Sequence, residues 1–581
     1  MSYQPSPYGS ADRINEKHSY DEPTKKRNKW LWIGIPIIAI IVILGAVLGG
    51  VFGYRSANNL NLATGDPLND SQQESQSSSG SGAGSSSASR TRGAGTGAGT
   101  GSATGGGSAA SSRSASSTVS SSSVAPTPTA GLYAVPNRPA WVWGEDKAIG
   151  MCLGNWLVLE RWMHEDWFTQ VGGADSYDEW SFSEHIGNQA DLQNVLEQHW
   201  LTWLTEDDFD IMYQQGINHL RIPTGFWAWI PTVEGEPYLN NMTAYQEQLN
   251  RVLGYAYARG MYAILDLHGL PGSQNGEQHS GHNTTTPSWF NNDVNQARSD
   301  QTVAAVLEFI SNTPFRSIIS GLEVINEPRP YTDSQIQEIE DYYSRSYDTI
   351  QASGNPITMF IADAFVESGF EFWRSFAEAR ATNPPSLVLE THPYPGNFPP
   401  QTNTADILSQ VCTAARKYLD YPVPVVITEW SVYTGVKTTQ FEHDLYESQL
   451  ATWAWSGGGM YWSYRLIPSQ AQLAAGLDYS QYSFITLVTN SSDVVPMPSS
   501  ADITNTTTPS NAQRYLESLS AYCGDVPDNV SPNPAPSVAW SAEIAARSSF
   551  ASQVLTATSW TIEPTATQIQ RRNIKKRSFS G

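Results

Sequence analysis

Residues 322–328 read LEVINEP, an apolar, β-branched run that stops on Asn326 and Glu327 with a proline behind them. Such a run predicts a buried parallel strand, and a buried strand has no structural need to end in a carboxylate. A second run, VPVVITEW at 423–430, makes the same move with Glu429. Working outward, short apolar runs alternate with longer stretches of helical period across 139–525. That alternation predicts βαβ units and a parallel sheet. Eight candidate strands emerge: AIGMCLGNW (148–156), GINHLRI (216–222), YAILDLH (262–268), LEVINE (322–327), ITMFIAD (357–363), LVLETH (387–392), PVVITE (424–429) and GMYWSY (459–464). Between them lie helix-like stretches such as 333–354, which opens on Asp333 as N-cap and closes on Gly354. Eight strand–helix repeats close a (β/α)8 TIM barrel of α/β class. An open doubly wound sheet would carry a Gly-rich turn after its first strand, and none is present.

In a barrel the C-terminal ends of the strands converge on one mouth. The predicted ends carry Arg221 on strand two, His268 on three, Asn326 and Glu327 on four, His392 with Tyr394 beyond it on six, Glu429 on seven and Trp462 on eight. Each alone has an ordinary reading as a locally hydrogen-bonded residue. Together in one cavity they are costly unless they pair or work. Two carboxylates without zinc-type Cys/His spacing point to glycoside hydrolysis, with one protonated acid and one ionised carboxylate. No metal and no cofactor are called for. Arg221 near Glu429 keeps that nucleophile charged, and Tyr394 donates a hydrogen bond to it. Glu327, with no cation adjacent in sequence, is the acid/base. Asn326 can reach a sugar hydroxyl, and Trp462 offers a flat apolar face to a pyranose ring.

The remaining chain is organised differently. Residues 30–54 carry no charge and are long enough to span a bilayer as a helix. Lys and Arg crowd the 1–29 segment, whereas only Arg55 follows the span closely. This predicts a single-pass type II signal anchor in the plasma membrane, with a cytosolic tail at 1–29 and the catalytic domain outside. Residues 55–138 are dominated by a Ser/Gly/Ala/Thr-rich linker that cannot bury enough apolar surface to order. Residues 526–581 form a tail of disordered composition. Six sequons, at Asn69, Asn241, Asn283, Asn490, Asn505 and Asn529, fit an extracellular placement. The net charge of −23 argues against a nucleic-acid partner. The three cysteines, Cys152, Cys412 and Cys523, allow one disulfide and one free thiol.

The stretches GNWLVLE, HWLTWLTEDDF, GINHLRIPTGFWAW, LDLHGLPGSQNG, VINEP, ETHPY and VVITEW, in this order, resemble the fungal exo-β-1,3-glucanases of glycoside hydrolase family 5 over 139–525. The resemblance implies a retaining double displacement, with Glu327 as acid/base and Glu429 as nucleophile. It places Arg221, His268, Asn326, His392, Tyr394 and Trp462 around the attacked sugar, and Glu160 at the non-reducing-end glucose. It further implies a Cys412–Cys523 disulfide, with Cys152 buried in strand one. The implied substrate and partner is cell-wall β-glucan, cleaved by a monomer with release of glucose. The sequence departs from the family at 277–281, where Glu277, Gln278, His279, Ser280 and Gly281 replace an aromatic followed by Asp-Asn-Ser-Gly. A β-1,6-glucanase or endo-β-glucanase of the same fold stays open on this ground. So does a catalytically silent wall-polysaccharide binding protein.

Overall fold

The computed structural model describes residues 137–366 and 369–490, together with 135, 493–496, 498, 515–519 and 523–524. The expected tail at 1–29, span at 30–54, most of the linker and the tail at 526–581 lie outside these residues. So do Asn69, Asn505 and Asn529, and the side chain of Asn490. Among the described residues no helix is long and apolar enough to cross a membrane.

Eight parallel strands close into a barrel in sequence order. They are β1 (Ala148–Cys152), β2 (His219–Gly225), β3 (Tyr262–Gly269), β4 (Ile319–Glu323), β5 (Thr358–Ala362), β6 (Leu387–Thr391), β7 (Val425–Trp430) and β8 (Gly458–Tyr461). Each predicted run thus holds one strand, because near-continuous apolar runs between helices are what a sheet covered on both faces requires. β8 pairs back onto β1 through Ala148–Gly458 and its successors. The interior is filled, not open: a Cβ on Gly150 would lie 1.8 Å from the Met460 sulfur.

The two ends of the barrel differ in chemistry. At the N-terminal end Trp141, Trp143, His219, Tyr262 and Phe360 pack ring against ring, with centroids 4.6–6.1 Å apart. The C-terminal end collects the ionisable groups. Three expectations are corrected there. β4 stops at Glu323, so Asn326 and Glu327 lie past the strand. Val324 and Ile325 are fully buried all the same, since burial of an apolar side chain does not need a ladder. β2 continues to Gly225, so Arg221 sits inside the barrel and not at the strand tip. The helix after β4 runs Asp333–Ala352, and its N-cap is Thr332, whose hydroxyl accepts from Gln335 N–H.

Candidate active site

Arg221 is fully buried. Its Nε and one terminal nitrogen fork onto both oxygens of Glu323, at 2.7 and 2.6 Å. The other terminal nitrogen donates to Glu429 Oε1 at 2.7 Å. Further contacts reach Asn326 Oδ1 at 2.8 Å and Asp266 Oδ2 at 3.1 Å. A planar guanidinium can serve this many acceptors at once, and an ammonium cannot. Glu323 on β4 stands beside Asp266 on β3 in the barrel register. One cation facing three carboxylates leaves negative charge in excess. Burial pushes Asp266 up to about 8, with Arg221 opposing. His268 Nδ1 lies 2.7 Å from Asp266 Oδ2. Burial, then repulsion from Arg221 and His279, holds His268 well below its ordinary value and keeps the ring neutral. Its Nε2 is buried without a hydrogen-bond partner. Trp462 stacks parallel to the His268 ring at 5.6 Å.

Glu429 lies on β7, where the register slips against β8 between Ile427 and Trp430. The slip lets both Thr428 and Glu429 reach partners in the mouth, which strict alternation would forbid. Tyr394, just past β6, donates its hydroxyl to Glu429 Oε2 at 2.7 Å. Glu429 therefore has one oxygen on Arg221 and the other on Tyr394.

Glu327 adopts φ +45°, a left-handed conformation that costs a non-glycine residue about 1–3 kcal/mol and persists only where neighbours impose it. They do: Asn275 Nδ2 donates to the Glu327 carbonyl at 3.2 Å, and Gln274 Nε2 to the Asn326 carbonyl at 2.8 Å. His392 Nδ1 is 2.8 Å from Glu327 Oε1, and its Nε2 is 3.1 Å from Glu390 Oε2 and 3.0 Å from Thr428 Oγ1. Burial opposes charge on His392, but Glu429, Glu390 and the Glu327 bond outweigh it and hold His392 well above its ordinary value. Burial also opposes charge on Glu390, yet His392 pulls that carboxyl below its ordinary value. His392 is thus an imidazolium donating from both nitrogens. Glu327, which has no cation adjacent in sequence, thus meets one in space from a different strand. Single ligand atoms of Glu327, His392 and Glu429 lie within 4.8 Å of one another. These donors are close enough to meet one cation, but the His392 nitrogens are here spent on carboxylates.

Glu160 follows β1 and is buried. Its carboxylate accepts from Trp162 Nε1 at 2.9 Å. Burial pushes it up to about 8 against that bond. Behind it, Glu179 accepts from the Leu159 N–H at 2.8 Å and supports the Glu160 loop. Burial also pushes Glu179 up to about 8. A carboxyl raised in the folded state keeps its proton while the unfolded chain loses it. Its contribution is therefore full below about pH 4.5 and is lost as pH rises towards 8. Glu179→Gln cannot ionise, and its oxygen can still accept from Leu159. In urea unfolding the variant is expected to gain about 2–4 kcal/mol relative to wild type between pH 4.5 and pH 8. An equal pH dependence in the two proteins would remove the assignment.

Several partners were not foreseen. Asp266, Glu323 and Glu390 lie inside strands, and His279 and Thr428 complete the cluster. A period-two signal existed for two of them: Asp266 precedes His268, and Glu390 precedes His392, by one pleat. Elsewhere, Cys412 and Cys523 are joined by a disulfide, and Cys152 is a buried free thiol on β1. Asn283 is exposed, and Asn241 caps the helix Met242–Ala258 through its side-chain oxygen. At the rim on the Glu327 side, Glu277 pairs with Arg329 at 3.1 Å. Arg329 lies over the exposed ring of Phe365, 5.5 Å from its centroid.

The model of the cellulase family (glycosyl hydrolase family 5) matches residues 185–458. The chain is 31% identical over 310 residues to glucan 1,3-beta-glucosidase 1 of Schizosaccharomyces pombe, covering 52% of this chain and 73% of that protein. It is 30% identical over 284 residues to probable glucan 1,3-beta-glucosidase A of Aspergillus fumigatus, covering 48% and 64%. The matches thus span roughly two thirds of the length of these curated relatives. The rutinosidase from Aspergillus niger shares the fold with a TM-score of 0.51 at 26% identity, over 57% of this chain and 94% of that one. With the barrel, the paired carboxylates and these relatives together, the chain belongs to glycosyl hydrolase family 5.

Proposed function

We propose that this protein is a retaining glucosidase that releases glucose from β-1,3-glucan. One observation carries the reading: Glu327 and Glu429 bring carboxylate oxygens within 4.8 Å of each other, in unlike surroundings. Carboxyl groups about 5–5.5 Å apart favour retention, whereas inversion needs roughly 6.5–9.5 Å to admit a water. Glu429, between Arg221 and Tyr394, is the nucleophile. Glu327 is the acid/base, protonating the leaving oxygen and then activating water. The buried, unpartnered Nε2 of His268 and the amide of Asn326 face the sugar hydroxyls, Trp462 supplies a stacking surface, and Glu160 holds the non-reducing end. His392 orients the acid/base. The names of the relatives support β-1,3-glucan as the substrate.

A second reading rests on the rim. The family aromatic at the leaving-group side is replaced by Glu277, paired with Arg329 beside Phe365. A β-1,6-linked or internal leaving group would meet this polar rim more readily than an apolar platform. Residues 30–54 anchor the chain in the plasma membrane as a type II protein. The barrel then faces cell-wall glucan as a glycosylated monomer.

Purified protein given laminarin is expected to release glucose, formed first as the β-anomer by NMR. Oligosaccharides as first products would favour endo action, and release only from a β-1,6-glucan would shift the linkage. No sugar release from any β-glucan would leave the silent binding protein.

A further inference from the structure

His279 stands where the family pattern has an uncharged amide, and its ring is partly exposed at the mouth. Its Nε2 is 3.5 Å from Glu327 Oε2, the oxygen opposite the one held by His392. Its Nδ1 is 3.5 Å from Asn326 Nδ2. Arg221 fixes which way that amide points, because it donates to Asn326 Oδ1 at 2.8 Å. The amide therefore turns its N–H towards His279 Nδ1. A ring that accepts at Nδ1 carries its hydrogen on Nε2, which faces the acid/base.

The turn that carries His279 is built into the fold. Ser280 Oγ bonds Ser273 Oγ at 2.7 Å and the Glu277 carbonyl at 2.8 Å. Gly281 closes the turn at φ +84°, where a Cβ would come within 2.3 Å of Trp227. Trp180 N–H donates to the Gly281 carbonyl at 2.9 Å. Among the described residues, the ionisable groups about His279 include His268 on β3, with ring centroids 5.4 Å apart, and Glu277 of its own turn, which is paired with Arg329. Across Glu327 stand His392 and Glu429.

We propose that His279 is a positioning residue for the acid/base. It ends a relay from Arg221 through Asn326 that presents an N–H to the oxygen from which the catalytic proton leaves. The inference rests on the reading of Glu327 as acid/base. His392 occupies Oε1 as a donor, so the transferable proton sits on Oε2. In the first half-reaction that proton passes to the glycosidic oxygen. The C1–O bond breaks with its electron pair on that oxygen, and a Glu429 oxygen bonds C1. Oε2 is then anionic, and the His279 N–H closes on it. In the second half-reaction water bonds C1, Glu429 leaves with its electron pair, and the water proton returns to Oε2. No proton is exchanged with bulk water over the cycle.

A donor that favours the carboxylate form lowers the pH at which Glu327 gives up its proton. His279→Phe keeps a ring and removes the N–H. On p-nitrophenyl β-glucoside the basic limb of kcat/KM, which reports the acid, is expected to move up by roughly half a unit to one unit, about a three- to fivefold change in kcat/KM one unit above the wild-type midpoint. The acid limb, which reports Glu429, stays in place. His279→Asn, which still presents an N–H, is expected to return most of the shift. A purely structural role would lower the whole profile without moving one limb. Unmoved basic limbs in both variants of an active wild type overturn the relay alone. A wild type that cleaves no β-glucoside overturns the hydrolase reading itself.

Discussion

Glu429→Gln is expected to lower kcat/KM on a β-glucoside by at least about 10⁴-fold, or some 5.5 kcal/mol of transition-state stabilisation. The amide is nearly the same size, and its oxygen can still accept from Arg221 Nη1, which now reaches Glu429 Oε1 at 2.7 Å. Shape and fold are thus kept while the charge proposed to attack C1 is removed. Tyr394 loses a carboxylate acceptor at 2.7 Å, a secondary cost of about 1.5–3 kcal/mol. Glu327→Gln tests the partner role. Its loss is expected to be smaller, about 10²–10⁴-fold, because a positioned acid contributes that much. The loss should shrink as the leaving group becomes a better one, since such a group needs less protonation. The measurement is kcat/KM across a series of aryl β-glucosides, with thermal melting to confirm the fold. More than a hundredth of wild-type activity in Glu429→Gln would end its assignment as nucleophile.

The order of the eight strands was legible because each is an apolar run bounded by helical stretches, and a parallel barrel buries both faces of its sheet. The gathering of Glu327, Glu429, His392 and Tyr394 at one mouth was legible for a related reason: a polar residue that ends an apolar run has few structural excuses. What escaped was the support beneath them. Asp266, Glu323 and Glu390 sit inside runs whose neighbours are apolar, and a single interior acid reads as an interruption. Only closure of the barrel shows that Asp266 and Glu323 stand side by side and meet Arg221. His392 was placed near the sugar, yet its charge depends on Glu390 one pleat away and on Glu429 from the next strand. That dependence is a property of distances, and no local pattern carries it. His279 was visible as a departure from the family, but its aim depends on the amide of Asn326, which Arg221 orients. Strand ends were misplaced where burial outlasts pairing, as at Val324 and Ile325.

Arg221→Met removes the one guanidinium shared by Glu323, Glu429, Asp266 and Asn326. Methionine fills much of the space, so the cavity is small and the cost is electrostatic. Breaking a buried ion pair from one side costs about 3–5 kcal/mol because a charge is left uncompensated. Here Glu323 and Glu429 lose the same partner, together with Asp266, which burial already holds up to about 8 and which adds least, and an effect at the upper end is expected in urea unfolding at pH 7. The sign with pH follows. Without the guanidinium the buried carboxyls keep their protons to higher pH than in the unfolded chain. The penalty is therefore small near pH 4, where both states are protonated, and grows as pH rises towards 7. Arg221→Lys restores a charge without the fork and is expected to recover only part of the loss. The double variant Arg221→Met with Glu323→Gln is expected to be more stable than Arg221→Met alone, since it removes one stranded charge. The two changes share a contact and so are not additive. If the stability deficit of Arg221→Met were the same at pH 4 and pH 7, or the second change made it worse, volume and not charge would be the reason for the arginine.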